Sequence, residues 1–349
     1  MTKLTGLERI VKAVKRQEPD TVPTFELIID RKVRDAIKPG LSLGDFCEHM
    51  DLDAVCYHEL LGDRFEAVDE SKRMMRDQWG AIQQFSAAGT VPIPREPAIK
   101  SEKDLDNYIS PDPDLPSRYQ HIEEAIRRFK SKRAVIVGVR PFATIKDSLR
   151  GDVNLFKDMV RNPNLVDQLC SIVSEYYSKF IKNLIDIGVD IIIETADWAI
   201  TQGPMVSPEL TKRFIIPTLQ QVVEECHSRG VPCLKHTDGN IWPIFDMIVE
   251  TGVDGVHPID PLAGMDLREA KTKYGDRVCL MGNVDCGDLL SFGNKEEVRQ
   301  EVKECIRQAG EGGGYICMSS NSIHNAVNPE NYFEMVKSIR EYGKYPLSL

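Results

Sequence analysis

Short apolar runs recur along most of the chain, and each is followed by a longer segment whose apolar residues have helical spacing. Runs that are apolar on both faces are typical of strands buried in a parallel sheet. The runs are 22–27, 53–60, 134–139, 190–195, 231–236, 254–259, 277–283 and 313–318. Eight strand–helix units in succession predict an α/β protein with a (β/α)8 barrel of the TIM type.

Two of the segments between the later runs have clear helix boundaries. Residues 207–230 begin with Ser-Pro-Glu and end at a glycine, and residues 295–310 have acidic residues in the first turn and a glycine after the last. Proline and acidic residues are favoured at helix starts, and glycine at helix ends. These segments therefore predict two of the helices that alternate with the strands.

Residues 74–117 interrupt this alternation. The stretch 73–89 has the pattern of a hairpin, and the stretches 90–100 and 110–116 are loops punctuated by proline. A hinge between two domains would be poorer in apolar residues. We therefore expect an insertion that folds over the barrel mouth, within a single domain that spans residues 1–349.

Composition narrows the class of protein. The chain has 349 residues, of which 42% are hydrophobic and 28% charged, and its net charge of −10 disfavours nucleic acid or an anionic membrane as the main partner. The nine cysteines include no CxxC pair, which predicts reduced thiols. Charged residues interrupt the N-terminal segment, and no apolar stretch reaches the length of about 18 residues that a membrane span requires. We therefore expect a cytoplasmic protein.

Side chains that could act in catalysis or bind a metal collect where the predicted strands end. The carboxyl ends of the strands form the active face of a parallel barrel, so these side chains are expected to converge. Three of the seven histidines, His236, His257 and His324, are among them. The polar strand ends are 57–59, 194–197, 236–240, 257–260, 283–286 and 319–324. Histidines and carboxylates gathered in this way serve acid–base catalysis or hold a divalent metal.

Each of these residues also has a structural interpretation. A single histidine at a strand end is more often a hydrogen-bonded structural residue than a ligand. Asp260 and Asp285 are suited to capping the segments that follow them. Cys279 and Cys317 lie inside strand runs, where a buried thiol acts as a small hydrophobe. A functional site is favoured by the agreement of many polar strand ends and by no single residue.

Several longer segments make the chain similar to a known family. They are 8–27, 77–85, 105–114, 203–240, 314–324 and 328–343. In this order they resemble the uroporphyrinogen decarboxylase superfamily over essentially the full length, and the resemblance implies a (β/α)8 barrel. The superfamily contains decarboxylases as well as zinc- and corrinoid-dependent methyltransferases, so individual residues have to distinguish the two activities.

The resemblance to the true decarboxylases is incomplete. Those enzymes have an arginine-rich segment after the first strand that holds the acidic tetrapyrrole, whereas this chain has FELIIDRKVRD at 25–35. A family aspartate that faces the pyrroles corresponds to Glu59, within 57–61, and a late family histidine corresponds to Asn321. Because the eight carboxylates of that substrate need cationic partners, the comparison disfavours decarboxylation of uroporphyrinogen.

The resemblance to the thiol-methylating enzymes implies a metal site. Their zinc is held by an HxC pair and a distant cysteine. The histidine corresponds to His236, whereas Asp238 and Asn321 occupy the two cysteine positions. Zinc accepts carboxylate oxygen as well as sulfur, and with harder ligands it is the stronger Lewis acid, suited to polarising a methoxy oxygen.

These residues lead to the hypothesis of a metal-dependent methyltransferase that moves a methyl group between a small-molecule donor, such as a methyl ether, and a corrinoid protein. The predicted metal is Zn²⁺, with His236 as the first ligand and Asp238, Glu194 and His324 as candidates for the others. The residues expected to line the substrate space are Tyr57, Glu59, Asp197, His257 and Asn321. The chain has no Asp-x-His-x-x-Gly segment of its own, so the corrinoid would arrive on a partner protein.

Two other functions stay open at this point. A metal-free decarboxylase would act on a substrate smaller than uroporphyrinogen, and a non-catalytic barrel would only bind a ligand or a corrinoid partner. Tight metal binding distinguishes the methyltransferase from both, and turnover distinguishes the decarboxylase from the binding barrel. A homodimer is compatible with all three.

Overall fold

The structure is a computed structural model that describes residues 3–59, 65–85 and 92–348. Its strands, numbered along the chain, are β1 (Ala54–His58), β2 (Glu66–Asp69), β3 (Met74–Arg76), β4 (Ile82–Gln84), β5 (Ile93–Glu96), β6 (Ala134–Val139), β7 (Ile191–Thr195), β8 (Ala199–Ile200), β9 (Gly203–Pro204), β10 (Cys233–His236), β11 (Gly255–His257), β12 (Cys279–Val284) and β13 (Tyr315–Ser319). Its α-helices are α1 (Gly6–Val14), α2 (Arg31–Ile37), α3 (Leu43–His49), α4 (Gln120–Phe129), α5 (Pro141–Ala143), α6 (Asp152–Arg161), α7 (Pro163–Asp186), α8 (Pro208–Leu210), α9 (Ile216–His227), α10 (Phe245–Glu250), α11 (Leu267–Tyr274), α12 (Leu289–Phe292), α13 (Lys295–Ala309) and α14 (Pro329–Tyr342).

Seven parallel strands form one curved sheet whose order follows the chain. The order is β1, β6, β7, β10, β11, β12 and β13. Helices separate these strands along the sequence, with α7 before β7, α9 before β10 and α13 before β13. The two helices that the sequence predicts at 207–230 and 295–310 are present as α8 with α9 and as α13. Parallel strands alternating with helices are the TIM-type architecture, so the predicted fold class is confirmed.

The prediction of a strand at residues 22–27 is wrong, although the segment does lie at the sheet. These residues, all in the described part of the chain, contain no ladder strand. They pass between the first and the last strand of the sheet. The amide of Asp53 donates to the carbonyl of Thr24 at 2.8 Å, and the amide of Cys317 donates to the carbonyl of Pro23 at 3.0 Å. Pro23 has no N–H to donate, so the segment bridges the opening of the sheet without forming a regular ladder.

The inside of the barrel is a packed apolar core below the mouth. Side chains from alternate positions of six sheet strands meet Phe25 and Leu27 of the bridging segment and three residues of α1. The strand residues are Ala54, Cys56, Ala134, Ile136, Ile191, Ile193, Leu234, Cys279, Met281, Ile316 and Met318. The positions between them, such as Val135 and Ile192, pack in the other cluster with the helices. Successive strand residues point to opposite faces, and this alternation also determines which polar strand ends face the mouth.

The insertion contains a four-stranded antiparallel sheet, in the order β2, β3, β4 and β5. The predicted hairpin is confirmed as β3 and β4, although its end at 86–89 lies outside the described residues. The prediction of a loop at 90–100 is wrong, because β5 pairs with β4 there. Pro94 is tolerated since β5 is an edge strand and an edge strand needs no donor on its outer side. The single domain remains a prediction.

The insertion packs on the barrel through an aromatic contact and backbone hydrogen bonds. The ring of Trp79 lies 4.7 Å from that of Tyr176 on α7. The amide of Ala98 donates to the carbonyl of Ser148 at 2.9 Å. The four-stranded sheet is therefore anchored beside the carboxyl end of β6, near the barrel mouth.

The helices and the thiols bear on the predicted location. Within the described residues, none of the helices is both long enough and apolar enough to cross a bilayer. All nine cysteines belong to the described part of the chain and are free thiols, and all but Cys170 are buried. The cytoplasmic location itself stays a prediction.

Candidate metal centre

Three potential metal ligands meet at the barrel mouth. His236 is the last residue of β10, Asp238 lies two residues beyond it, and Asp197 lies two residues beyond β7. His236 Nε2 is 3.5 Å from Asp197 Oδ1 and 3.6 Å from Asp238 Oδ1. The three ligand atoms all lie within 4.8 Å of one another. Ligand atoms around a tetrahedral zinc ion with bonds of about 2.0–2.1 Å stand about 3.3 Å apart, so this spacing suits one ion.

The loop after β10 is held against the loop after β7. Thr237 Oγ1 accepts a hydrogen bond from the amide of Trp198 at 2.8 Å, and the amide of Gly239 donates to Asp260 Oδ2 at 3.1 Å. Gly239 has a φ of +86°, and a Cβ atom there would lie 2.7 Å from the backbone of Ala199 and Ile200. Only glycine permits this close approach, which brings Asp238 next to Asp197.

The tautomer of His236 follows from its hydrogen bonds. His257 Nε2 lies 3.0 Å from the carbonyl oxygen of Ser319, which can only accept, so His257 Nε2 carries the proton. Burial lowers the pKa of His257 well below its usual value, so the ring is neutral and its Nδ1 is an acceptor. His236 Nδ1 lies 2.8 Å from that atom and must donate to it. His236 Nε2 is therefore left with a lone pair that faces the two carboxylates.

The three ligand side chains include no cation of their own. Asp238 Oδ1 is buried and has no hydrogen-bond partner among the described residues, while Oδ2 of the same carboxylate accepts from Asn321 Nδ2. Burial, then Asp197 and Asp260, raise the pKa of Asp238 well above its usual value. Burial lowers the pKa of His236 to about 3, so the ring itself supplies no charge at neutral pH. A divalent cation would satisfy the lone pair and both carboxylates at once.

The three ligands open onto a cavity of ≈190 Å³. Its walls come from the ends of β1, β6, β7 and β10, from the segment after β13 and from the bridging segment. The lining residues are Leu27, Ile28, His58, Arg140, Thr195, Asp197, His236, Asp238, Asn321 and Ser322. A ligand in this cavity can therefore reach the fourth position of an ion held by the three protein ligands, as in catalytic zinc sites.

Glu194 and His324, the other two candidate ligands, lie outside this cluster. Glu194 precedes Thr195 and points to the opposite face of β7, where it is fully buried in an ion pair with Lys235. His324 Nε2 lies 3.2 Å from the carbonyl of Cys286, and its Nδ1 accepts from the amide of Ala326 at 3.3 Å. The strand alternation removes the first candidate from the mouth, and hydrogen bonds occupy both nitrogens of the second.

The residues expected to line the substrate space divide into three groups. Asp197 and Asn321 line the metal cavity, whereas His257 is fully buried behind His236 and touches it only through Nδ1. Tyr57 points away from the lumen, and its ring lies 5.7 Å from that of His121 on α4. Glu59 faces a different cavity altogether.

This second cavity, of ≈330 Å³, lies between the end of β1 and α4. Its walls include Glu59 and Arg118, and it shares His58 with the metal cavity. The Glu59 carboxylate accepts hydrogen bonds from Tyr177 at 2.7 Å, Gln78 at 2.9 Å and Tyr176 at 3.0 Å. Burial raises the pKa of Glu59 in spite of these donors. These three side chains therefore hold the Glu59 carboxyl in a fixed orientation at the wall of the second cavity.

Six of the ten residues that line the metal cavity are not among the predicted site residues, and two of the six, His58 and Arg140, have basic side chains. His58 ends β1, and Arg140 directly follows β6. His58 lies within the polar strand end at 57–59 but is not singled out there as a site residue, and the same criterion would find Arg140 if it included arginine. Asp197 was predicted at the site, but as a substrate-lining residue and not as a metal ligand.

Comparison with known proteins identifies relatives of the whole chain. Residues 79–342 match the family described as Uroporphyrinogen decarboxylase (URO-D). A uroporphyrinogen decarboxylase of Psychromonas ingrahamii is 25% identical over 98% of this chain and 98% of its own length. One from Chlorobium luteolum is 27% identical over 70% of this chain and 71% of its own length.

Solved structures show the same fold. A methyltransferase from Methanosarcina mazei superposes with a TM-score of 0.77 at 18% identity, over 97% of this chain and 99% of that one. A B12-independent methionine synthase from Shewanella superposes with a TM-score of 0.53 at 14% identity, over 93% of this chain and 95% of that one. At these identities the likeness establishes the barrel architecture.

Proposed function

The chain belongs to the uroporphyrinogen decarboxylase family, and we propose that it is a metal-dependent methyltransferase that moves a methyl group between a small-molecule donor and a corrinoid protein. The family match and the methyltransferase neighbour indicate an enzyme of the decarboxylase or methyltransferase type. The observation that carries the proposal is the cluster of Asp197, His236 and Asp238, whose ligand atoms lie within 4.8 Å of one another at the barrel mouth.

The donor set fits Zn²⁺. One imidazole nitrogen and two carboxylate oxygens are accepted zinc ligands, and three protein ligands leave a fourth position for substrate. A bound ion would supply Lewis acidity toward the heteroatom that carries the methyl group. In the net reaction the donor loses a methyl cation and takes up a proton in its place, and the reduced corrinoid of the partner gains the methyl group.

The chain's own residues would hold and orient this centre. His257 keeps the lone pair of His236 Nε2 directed at the ion, and Asn321 holds one oxygen of Asp238 so that the other faces the ion. Glu59 and Tyr57 lie outside the metal cavity. Glu59 would contact a ligand in the second cavity, and Tyr57 would support α4, which forms one wall of that cavity. The corrinoid would come with a cytoplasmic partner protein.

A decarboxylase is the second candidate, because the relatives that match this chain over most of its length have that name. The structure argues against a tetrapyrrole. The cavity of ≈190 Å³ is below the usual range for drug-sized ligands, and Arg140 is the one arginine among the described residues that line it. Burying carboxylates without cationic partners costs several kcal/mol each.

Metal analysis tests the proposal most directly. Protein purified without chelators should contain about one equivalent of zinc, and His236→Ala should lose it, because removal of a ligand usually breaks such a site. His49→Ala, on the exposed end of α3, is the matched control and should keep its zinc. Stoichiometric zinc that survives in His236→Ala would overturn the assignment of His236.

Turnover separates the two activities. The protein would be mixed with a reduced corrinoid protein and a panel of methoxylated and methylamine-type donors, and methylcobalamin would be followed by absorbance. We expect methyl transfer with at least one donor and no useful production of coproporphyrinogen from uroporphyrinogen. Rapid decarboxylation without methyl transfer across the panel would favour the decarboxylase over the methyltransferase.

A further inference from the structure

Arg140 has free hydrogen-bonding capacity toward the metal cavity. It directly follows β6 and lines the cavity, and its side chain is 14% exposed. One terminal nitrogen, Nη2, donates to Asp147 Oδ2. The other donors, on Nε and Nη1, have no hydrogen-bond partner among the described residues, and neither atom is sealed away from solvent. Within the part of the chain that the structure describes, no group uses these donors, so they are available to a ligand.

The charge around Arg140 is positive on balance. Its carboxylate partner, Asp147, is shared with Lys146, whose Nζ lies 3.6 Å from the second oxygen. Two cations on one carboxylate leave one positive charge at this wall. Burial and then Arg140 lower the pKa of His58 to about 4, so the neighbouring imidazole on the same cavity is neutral at physiological pH.

The side of the cavity that holds the three metal ligands would be neutral with a divalent ion bound. With a divalent ion in place, its two charges balance the carboxylates of Asp197 and Asp238. β6 is next to β7 in the sheet, and β7 is next to β10, so Arg140 and the metal ligands lie on successive strand ends around one cavity. The uncompensated charge that a substrate meets is therefore that of Arg140.

We propose that Arg140 is a specificity residue and that the substrate is a small carboxylate, with its carboxylate on Arg140 and its methyl-bearing heteroatom at the fourth metal position. The proposal rests on the function proposed above and names its substrate class. A guanidinium with two open donors matches a carboxylate in a bidentate geometry. The cavity of ≈190 Å³ restricts the substrate to a molecule smaller than a drug-sized ligand.

A pair of probes that share a methyl ether, one with a charged carboxylate at the other end and one with a neutral hydroxyl, tests this inference. Methoxyacetate and 2-methoxyethanol have the same length and the same methyl ether, and calorimetry would measure the binding of each to the zinc-loaded protein. We expect methoxyacetate to bind at least tenfold more tightly. Equal binding of the two probes by the wild-type protein would overturn the role of Arg140 without any substitution.

Variants of Arg140 test whether this residue causes the preference for the charged probe. Arg140→Gln should weaken the binding of methoxyacetate about tenfold and change the binding of 2-methoxyethanol by less than twofold. Arg140→Lys should keep part of the preference for methoxyacetate because it keeps the charge. Arg31→Gln, exposed on α2, is the control and should change neither probe. Equal weakening of both probes in Arg140→Gln, with an unchanged melting temperature, would contradict the proposal.

Failure of this inference can be told from failure of the proposed function. Methyl transfer from both probes at similar efficiency would overturn the carboxylate preference and leave the methyltransferase intact. Charge-selective binding with no transfer from any donor of the panel would overturn the methyltransferase and leave the anion site at Arg140.

Discussion

Two polar clusters lie on opposite faces of the sheet where β7 and β10 end, and they differ in whether the chain supplies a cation of its own. On the outer face, Lys235 forms an ion pair with Glu194, donates to the carbonyls of Ala196 and His236 at 2.6 Å, and lies 4.1 Å from the ring centre of Trp198. A lysine has three donors, and all three are used. On the inner face, His236 directly follows Lys235 on β10. With Asp197 and Asp238, from the loops beyond the two strands, it forms a metal centre whose three side chains include no cation.

The difference shows how a structural cluster can be told from a functional one. Both contain a carboxylate and a buried nitrogen-bearing side chain, Lys235 in one and His236 in the other, so these features alone do not separate them. The outer cluster contains its own cation, whereas in the inner cluster Asp238 Oδ1 has no partner among the described residues and a nitrogen lone pair faces two carboxylates. An incomplete charge balance at a cavity is the feature that points to a ligand.

Breaking the outer pair should have the largest effect. In Lys235→Met the carboxylate of Glu194 stays buried without its cation, and the free energy of unfolding should fall by about 3–5 kcal/mol. Denaturant titration measures this loss. Lys273→Met breaks the half-exposed pair with Glu269 on α11 and should cost at most about 0.5 kcal/mol. Similar losses in both variants would show that the outer pair contributes no more than a surface pair.

A third carboxyl tests the comparison through pH. Burial raises the pKa of Glu26 to about 8, although Ser319 donates to it from both its hydroxyl and its amide. A carboxyl whose pKa is raised in the folded state contributes stability that is present below its unfolded pKa and is lost as the pH rises toward 8. The stability of the wild-type protein should therefore fall between about pH 4.5 and 8.

Glu26→Gln removes this titration. The variant should be more stable than the wild type at pH 8, by less than the loss in Lys235→Met, and the two proteins should converge near pH 4. Chemical unfolding at several pH values measures the difference. A constant difference across the range would show that Glu26 does not titrate in the way that its burial implies.

The smallest expected effect tests whether His257 orients His236 in the metal centre. His257→Phe removes the acceptor of His236 Nδ1, so the lone pair of Nε2 is no longer selected, and zinc affinity should fall about 10–100-fold. His257→Gln keeps an acceptor, so its zinc affinity should lie between that of His257→Phe and that of the wild type. Competition with a chromophoric chelator measures both. Unchanged affinity in His257→Phe would mean that the hydrogen bond does not orient the ligand.

The site was recoverable from the sequence only in part. His236, Asp238, Asp197 and Asn321 were selected because polar residues follow apolar runs, and strand ends converge in a parallel barrel. Glu194 was selected by the same criterion, but its strand is buried on both faces, so no alternation of polar and apolar residues shows which way it points. Arg140 is missed because the polar strand ends that the sequence analysis considers do not include arginine.

The sequence by itself determined the parallel barrel and the end of it that holds the polar groups, because apolar runs and helical spacing are local properties of the chain. The tertiary structure alone decided that Lys235 is the buried cation of Glu194, that His257 orients His236, and that the charge on Arg140 faces the metal cavity. Each of these depends on which strands are neighbours and on where loops cross, and those distances arise from packing between residues far apart in the chain.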